Sequence, residues 1–265
     1  VMPDIIIHSA ATKFVDLSEK YPEECIQTNI LGSINLLRVS KMFKVKGVIA
    51  ISTDKAVRPT NFMGATKRLA ELYIQYLARR RAGTKFVVVR FGNVLGSSGS
   101  VVPAFRAQIA ARGPVTVTHP DMERYFMTIT EAVELVIQAG VIADNSSVLL
   151  LDMGKPIKID TLARQMITLS GYTVRDQDNP KGQIEITYTG FRPGEKLFEE
   201  LLINGRSIKT THPRIFKANE NLANLDIFES KHLILESIDA TIDANQLKSA
   251  VKSLVPEYQP YHGSD

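Results

Sequence analysis

Apolar residues run along this chain in short blocks, separated by longer stretches in which they recur every third or fourth position. Ile5-Ile6-Ile7-His8, just after Pro3-Asp4, is a β-branched run of the kind that fills a buried strand. From Pro22 onward Ile26, Ile30, Ile34 and Leu37 share one helical face. Gly47-Val48-Ile49-Ala50-Ile51-Ser52 reads as a second buried strand. Leu69, Leu72, Tyr73, Tyr76 and Leu77 return to helical spacing, and Phe86-Val87-Val88-Val89 is a third strand. Strands alternating with helices of this length predict an α/β fold with a parallel, doubly wound sheet.

After Phe91 the texture changes. Gly92 to Gly99 is a Gly/Ser loop, Pro103 to Arg112 has helical character, and Val115-Thr116-Val117 is a short strand. Thr128 and Glu131 have capping-box spacing before a helix carrying Val133, Val136, Ile137 and Val141. Val148 to Leu151 and Ile184 to Tyr188 read as strands. Asp160 is placed to cap a helix ending at Gly171, and Glu195 to Leu202 reads as another helix. Two helices and a polar end are expected from Asn224 onward. The predicted division is a sheet-forming region over 1–95 and a smaller α/β lobe over 96–265, with some elements returning to the sheet.

The chain has 265 residues, 44% hydrophobic and 23% charged, the balance of an ordinary globular protein. The net charge of +4 is spread out. Its densest run, Arg79-Arg80-Arg81, falls at a predicted helix end, where cations complement the helix dipole. No aromatic residues interleave with it, which argues against nucleic acid. The single cysteine, Cys25, excludes an internal disulfide and a cysteine metal cluster and fits a reducing, cytoplasmic compartment. A buried helix position suits it better than a nucleophile's role. The longest apolar region, Val133 to Ala143, is interrupted by Glu134 and Gln138 and is too short to cross a bilayer.

Ligands of open parallel sheets bind beyond the carboxyl ends of the strands. That rule selects His8-Ser9-Ala10-Ala11, Ser52-Thr53-Asp54-Lys55 and Arg90-Phe91-Gly92-Asn93. In the second of these a hydroxyl, a carboxylate and an amine follow one another. A carboxyl group can protonate a leaving hydroxyl and an uncharged amine can take a proton from carbon. Neighbours in a straight strand face opposite ways, so both reach one substrate only if the chain leaves strand geometry at Thr53 or Asp54. A polar turn after a strand is the plainer reading of the same residues. Met63 and Lys67 share a helical face if both are helical; core filler and a solvated surface lysine are the plainer readings.

The Ser52-Thr53-Asp54-Lys55 run, the Met63-Gly64-Ala65-Thr66-Lys67 continuation and the Arg90-Phe91-Gly92-Asn93-Val94-Leu95-Gly96-Ser97 segment together resemble the UDP-N-acetylglucosamine 4,6-dehydratases of bacterial polysaccharide synthesis. These are extended short-chain dehydrogenase/reductases, and the similarity is closest to their long, membrane-associated branch for capsule, O-antigen and protein glycans. It runs from Val1 to about Ile215. It implies a Rossmann-like sheet, NAD as cofactor, a UDP-sugar substrate and a homo-oligomer pairing through the helix that carries Lys67. Membrane attachment is implied only through segments outside this chain.

The resemblance also implies roles. Met63 holds the position of the usual tyrosine, so Asp54 or Thr53 must deprotonate the sugar 4-hydroxyl, while Lys67 binds the nicotinamide ribose. Hydride leaves C4 for NAD⁺, Lys55 removes the C5 proton as Asp54 protonates the departing 6-hydroxyl, and hydride returns to C6. Retention at C5 is implied by the methionine. Ala10 and Ala11 match small residues on the adenosine side, with helix–sheet packing as a serious rival, and Ser52 and Phe91 belong to the cofactor side. Asn29 matches a structural brace. Lys13 approaches the substrate. Arg90, Asn93 and the 96–99 loop match the region of the nucleotide diphosphate, and Arg124 and Arg192 match arginines on the UDP moiety, where a planar fork suits phosphate.

A glycine-rich dinucleotide fingerprint does not precede His8. The resemblance places Val1 just before the fourth strand, so the expectation is a chain lacking the first three strands, with an unpaired sheet edge prone to association. Two rival readings stay open: a 4-epimerase or reductase on the same scaffold, and a silent sugar-nucleotide-binding fragment.

Overall fold

The computed structural model describes residues 2–80, 83–202, 207–220, 223–237 and 243–260; Val1 and Arg81 of the arginine run lie outside them. In chain order the strands are β1 (Ile5–His8), β2 (Gly47–Thr53), β3 (Lys85–Phe91), β4 (Asn93–Val94), β5 (Val115–Val117), β6 (Glu123–Arg124), β7 (Phe126–Met127), β8 (Ser147–Leu151), β9 (Ile157–Lys158), β10 (Val174–Arg175), β11 (Ile184–Tyr188), β12 (Ser207–Lys209) and β13 (Ile215–Ala218). The helices are α1 (Val15–Lys20), α2 (Pro22–Ile26), α3 (Gly32–Met42), α4 (Phe62–Arg79), α5 (Val101–Ala110), α6 (Ile129–Ile142), α7 (Ile159–Leu169), α8 (Ala223–Lys231) and α9 (Ala244–Leu254).

The chain forms two compact units. The first holds 1–91, 134–152 and 200–265, so the C-terminal quarter returns to the sheet-forming region. Its sheet has the order β1-β2-β3-β8-β13-β12, parallel from β1 to β8 and closed by two antiparallel strands. This is the doubly wound α/β arrangement that the strand–helix alternation predicts. Val48, Ala50, Phe86, Val88 and Val148 of one sheet face pack against α4 in a single core.

β1 differs from expectation. It is an edge strand, not a buried one: Ile6 packs on the core, but Ile5 is 59% and Ile7 47% exposed. An edge strand has a neighbour on one side only, and no described helix covers that face of it. On the same face of the sheet Ile49 receives α6 so closely that a Cβ on Gly140 would lie 2.1 Å from its Cδ1. The buried face of α6 is Ala132, Leu135, Val136 and Ala139, while Val133, Ile137 and Val141 point to solvent.

α4 starts where the Asn61 side chain accepts from Gly64 N at 2.8 Å, an N-cap that satisfies an otherwise unpaired donor. Nearly every residue from Phe62 to Ala78 is buried. Leu225 and Phe228 of α8, Leu247, Val251 and Leu254 of α9, and Tyr258 join its core. The apolar stripe expected to pair two copies is therefore covered within the chain.

The second unit holds 92–133 and 153–199. Its three-stranded sheet, β10-β11-β5, packs Val115, Val117 and Ile184 against Phe105 and Ile109 of α5 and Ala163 and Ile167 of α7. Two short strand pairs, β4–β7 and β6–β9, complete it. Two local expectations fail here. Residues 195–202 are irregular and not helical. Asp160 does not cap α7, whose N-cap is Lys158 without a side-chain bond; its carboxylate takes Arg164 at 2.9 Å and Tyr188 at 2.8 Å, partners that outcompete the helix end. The Thr128–Glu131 capping box forms as the spacing predicts.

Candidate active site

β2 ends in a single turn of 3-10 helix over Asp54–Ala56, entered through Thr53, whose hydroxyl accepts from Lys55 N. The turn rotates consecutive side chains onto one side, as the alternation of a straight strand forbids. Thr53 Oγ1 donates to Asp54 Oδ1 at 2.8 Å, and Lys55 Nζ lies 3.1 Å from the same oxygen. Asp54 is fully buried and its Oδ2 has no hydrogen-bond partner among the described residues. An orphaned carboxylate oxygen in the interior is costly unless something else meets it.

α4 presses on this turn. A Cβ on Gly64 would sit 2.1 Å from Lys55 O, so only glycine lets the helix start there. One residue earlier is Met63, buried in the core as filler. Lys67 follows one turn later and is half-buried. Burial pushes its ammonium below the usual lysine range, against the pull of Glu71 and then of Cys25. His8, at the end of β1, is lowered first by burial and then by Lys67. Cys25 is fully buried and its thiol is raised by burial.

Asn29 lies in a π-helical turn over Gln27–Leu31, which swings its amide out of the helix register. It accepts from Thr12 N at 2.8 Å and donates to Thr12 O at 2.9 Å and Thr66 Oγ1 at 3.0 Å. The segment after β1 is thereby tied to α4. Along that segment Ala10 and Lys13 are exposed and Ala11 is half-buried.

Ser52 and Arg90 stand in register on β2 and β3, and both turn inward. Ser52 Oγ donates to Glu71 Oε1 at 2.6 Å. The Arg90 guanidinium, with no exposed surface, pairs with Glu71 and Glu220. It was expected to face a diphosphate; here carboxylates already neutralise it. Phe91 is half-buried at the end of β3. Sequence reasoning missed Glu71, although its place four residues after Lys67 and three after Arg68 marks it as their neighbour on the helix. A cavity of about 800 Å³ beside the later turns of α4 has Tyr73, Tyr76, Arg80 and His232 in its wall, and no predicted site residue.

The remaining predicted residues lie in the second unit. Arg124 is buried, and its guanidinium donates to the carbonyls of Glu123 (2.7 Å), Leu197 (3.1 Å) and Lys196 (2.8 Å) and to Glu195 (3.4 Å). It holds the irregular 195–199 segment against β6. Arg192 is exposed beside a turn in which its N–H donates to Glu195 Oε2 at 3.1 Å. Asn93 is half-buried in β4, and Gly96 and Gly99 of the following loop take positive φ. Among the described residues no group of His, Cys, Asp and Glu is arranged to hold a metal, and no helix is long and apolar enough to cross a membrane.

Residues 1–220 match the family described as "Polysaccharide biosynthesis protein". The chain is 54% identical over 200 residues to the capsular polysaccharide biosynthesis protein CapD of Staphylococcus aureus, covering 76% of this chain and 32% of that one. It thus spans about a third of that relative's length. It is 39% identical over 201 residues to a UDP-glucose 4-epimerase of Rickettsia bellii, covering 75% of this chain and 56% of that one. The solved structure of Pen from Bacillus thuringiensis superposes with a TM-score of 0.73 at 36% identity, covering 83% of this chain and 67% of that one. With residues 1–220 matched, the chain belongs to the polysaccharide biosynthesis protein family.

Proposed function

We propose that this chain carries the catalytic segment of an NAD-dependent dehydratase that turns UDP-N-acetylglucosamine into a UDP-4-keto-6-deoxy-N-acetylhexosamine, with C5 configuration retained, for bacterial surface glycans. The observation that carries this is the Asp54–Lys55 contact: an acid and a base on one side of a strand end, with Asp54 Oδ2 unpartnered. Loss of water across C5 and C6 needs both, one to take the C5 proton and one to protonate the leaving hydroxyl.

The end of the sheet fits the nicotinamide half of the cofactor. Lys67 is half-buried, Ala10 and Ala11 leave space after β1, and Ser52 and Phe91 flank the strand ends. When bound, NAD supplies the acceptor and later the donor of hydride. Lys67 would hydrogen-bond the ribose. Met63 carries no exchangeable proton, so Thr53, already donating to Asp54, would pass the 4-hydroxyl proton to that carboxylate. Lys55 would then take the C5 proton and Asp54 return its own to the 6-hydroxyl, which leaves as water; once C6 has been reduced, Lys55 would give a proton back to the same face of C5, which retains its configuration. On the sugar-nucleotide side Arg192 is the exposed guanidinium suited to phosphate, with Asn93 beside the glycine loop and Lys13 a further cation for the substrate. Arg124 would shape that side by holding 195–199, and Arg90 would act from behind the strand ends.

The resemblance to a UDP-glucose 4-epimerase favours one rival reading. Epimerisation moves hydride at C4 and leaves the 6-hydroxyl in place, so it has no use for the Asp54–Lys55 pair. Incubation of the purified chain with UDP-N-acetylglucosamine and NAD⁺, followed by proton NMR, separates the two. A new C6 methyl doublet is expected. Inversion at C4 with the hydroxymethyl group intact would replace the dehydratase with an epimerase. Bound uridine without turnover would make this chain a sugar-nucleotide-binding fragment.

A further inference from the structure

Five charged side chains lie packed behind the end of β2. Glu71 Oε1 accepts from Ser52 Oγ at 2.6 Å and Arg90 Nε at 2.7 Å, and its Oε2 accepts from Arg68 Nη1 at 3.0 Å and from Arg90 Nη2. Arg68 continues to Glu220 at 3.0 Å and Glu257 at 2.7 Å, and Arg90 also meets Glu220. The side chains of Arg68, Glu71 and Arg90 are at most 2% exposed. Two guanidiniums against three carboxylates leave one negative charge over, and a net charge in the interior requires a counter-charge nearby. One helical turn before Glu71, on the same face, stands Lys67.

The other titratable groups acting on Lys67 do not supply an anion. Cys25, on α2, is held as a thiol by burial. His8, on β1, is held neutral by burial and by Lys67 itself. Its tautomer follows from its partner: the Ser33 hydroxyl gives its proton to Asn29 O at 2.7 Å, so His8 Nε2–H donates to Ser33 Oγ at 2.8 Å. Glu71, held down to about 2 by Arg90 and Arg68 in spite of burial, is the anion on this list at neutral pH.

We propose that Glu71 is a positioning residue: one turn from Lys67 on the same face of α4, with its arginine–glutamate network it is the buried counter-ion that strengthens the hold of Lys67 on its proton against burial, and through Ser52 it locks the end of β2 to α4. The use of Lys67 at the cofactor rests on the dehydratase reading; its charge state does not. The proton affinity of Lys67 and the turn at Thr53–Lys55 are thus both tuned by one carboxylate buried behind the strand end.

The test follows Lys67 directly. The chain is labelled with ¹³Cε-lysine, the Lys67 resonance is identified by its loss in Lys67→Arg, and the signal is titrated in wild type, Glu71→Gln, Glu71→Asp and Ser52→Ala. Glu71→Gln is expected to move the Lys67 titration to lower pH. Glu71→Asp, which keeps the charge, returns it toward wild type, and Ser52→Ala leaves it in place. A folded Glu71→Gln that titrates as wild type overturns the proposal. Should Glu71→Gln fail to fold, Glu257→Gln at the network's margin serves instead: a smaller shift in the same direction supports the network as counter-ion, and no shift overturns it. NAD affinity measured on the same variants keeps the two readings apart. A shifted titration with unchanged affinity upholds the counter-ion and overturns the ribose contact of Lys67.

Discussion

Lys55 Nζ lies 3.1 Å from Asp54 Oδ1, although the two residues are consecutive and leave a strand whose neighbours point opposite ways. The single 3-10 turn brings a carboxylate and an amine of sequence neighbours together, and in the proposed reaction the two are expected to fail differently. Asp54→Asn should lower kcat on the parent sugar by about 10²–10⁴-fold, yet, when supplied with the 4-keto sugar nucleotide that needs no C4 oxidation, it should still exchange the C5 proton with solvent. Lys55→Met should lower turnover by a similar factor and stop the exchange as well. Deuterium incorporation at C5 in D₂O, followed by NMR, distinguishes them. Exchange lost in Asp54→Asn but kept in Lys55→Met would reverse the assignment.

Gly64→Ala puts a methyl group where Lys55 O now lies, 2.1 Å away, and backbone rather than a flexible side chain must yield. We expect a loss of about 1–3 kcal/mol, the range of overpacking, together with a larger fall in turnover than in stability, since the displaced group belongs to Lys55, the base of the proposed reaction. Urea unfolding and initial rates on the same preparation check both. Unchanged activity would show that the turn is not held by α4.

Acid should weaken the protein through Glu71. Its folded pKa, about 2, lies below the usual glutamate value of 4.5, because Arg90 and Arg68 outweigh burial. The folded state therefore binds fewer protons, and this stabilisation is complete above about 4.5 and lost as pH falls toward 2. Glu71→Gln should be less stable at pH 7 and lose stability less steeply between those limits. Parallel acid slopes for variant and wild type would contradict this.

Phe228 packs edge-on against Tyr73 at 6.2 Å and Tyr76 at 5.8 Å between ring centroids, and it is fully buried. Phe228→Ala should cost about 3–5 kcal/mol and uncover the aromatic face of α4. Self-association, followed by light scattering, should then rise. A variant that loses stability without associating would show that this face is no latent contact between copies.

Local pattern determined much of this protein. The β-branched runs at Val48 and Phe86 and the helical spacing from Leu69 to Leu77 are properties of neighbouring residues, and the parallel pairing of β1, β2 and β3 fits their alternation, whereas the antiparallel β12 and β13 were not read from it. The strand-end rule likewise singled out Ser52 to Lys55 as a candidate site. Burial of β1 was not legible, because an apolar run looks the same whether a strand has one neighbour or two. The fate of the arginines was not legible either. A guanidinium meets carboxylate and phosphate with the same fork, and which one it finds depends on residues far off in the chain: Glu220 stands 130 positions from Arg90, and Lys196 stands 72 from Arg124. The sequence by itself placed the charges and the reactive groups. Tertiary structure decided which charges are already neutralised, because only folding sets the distances on which that neutralisation depends.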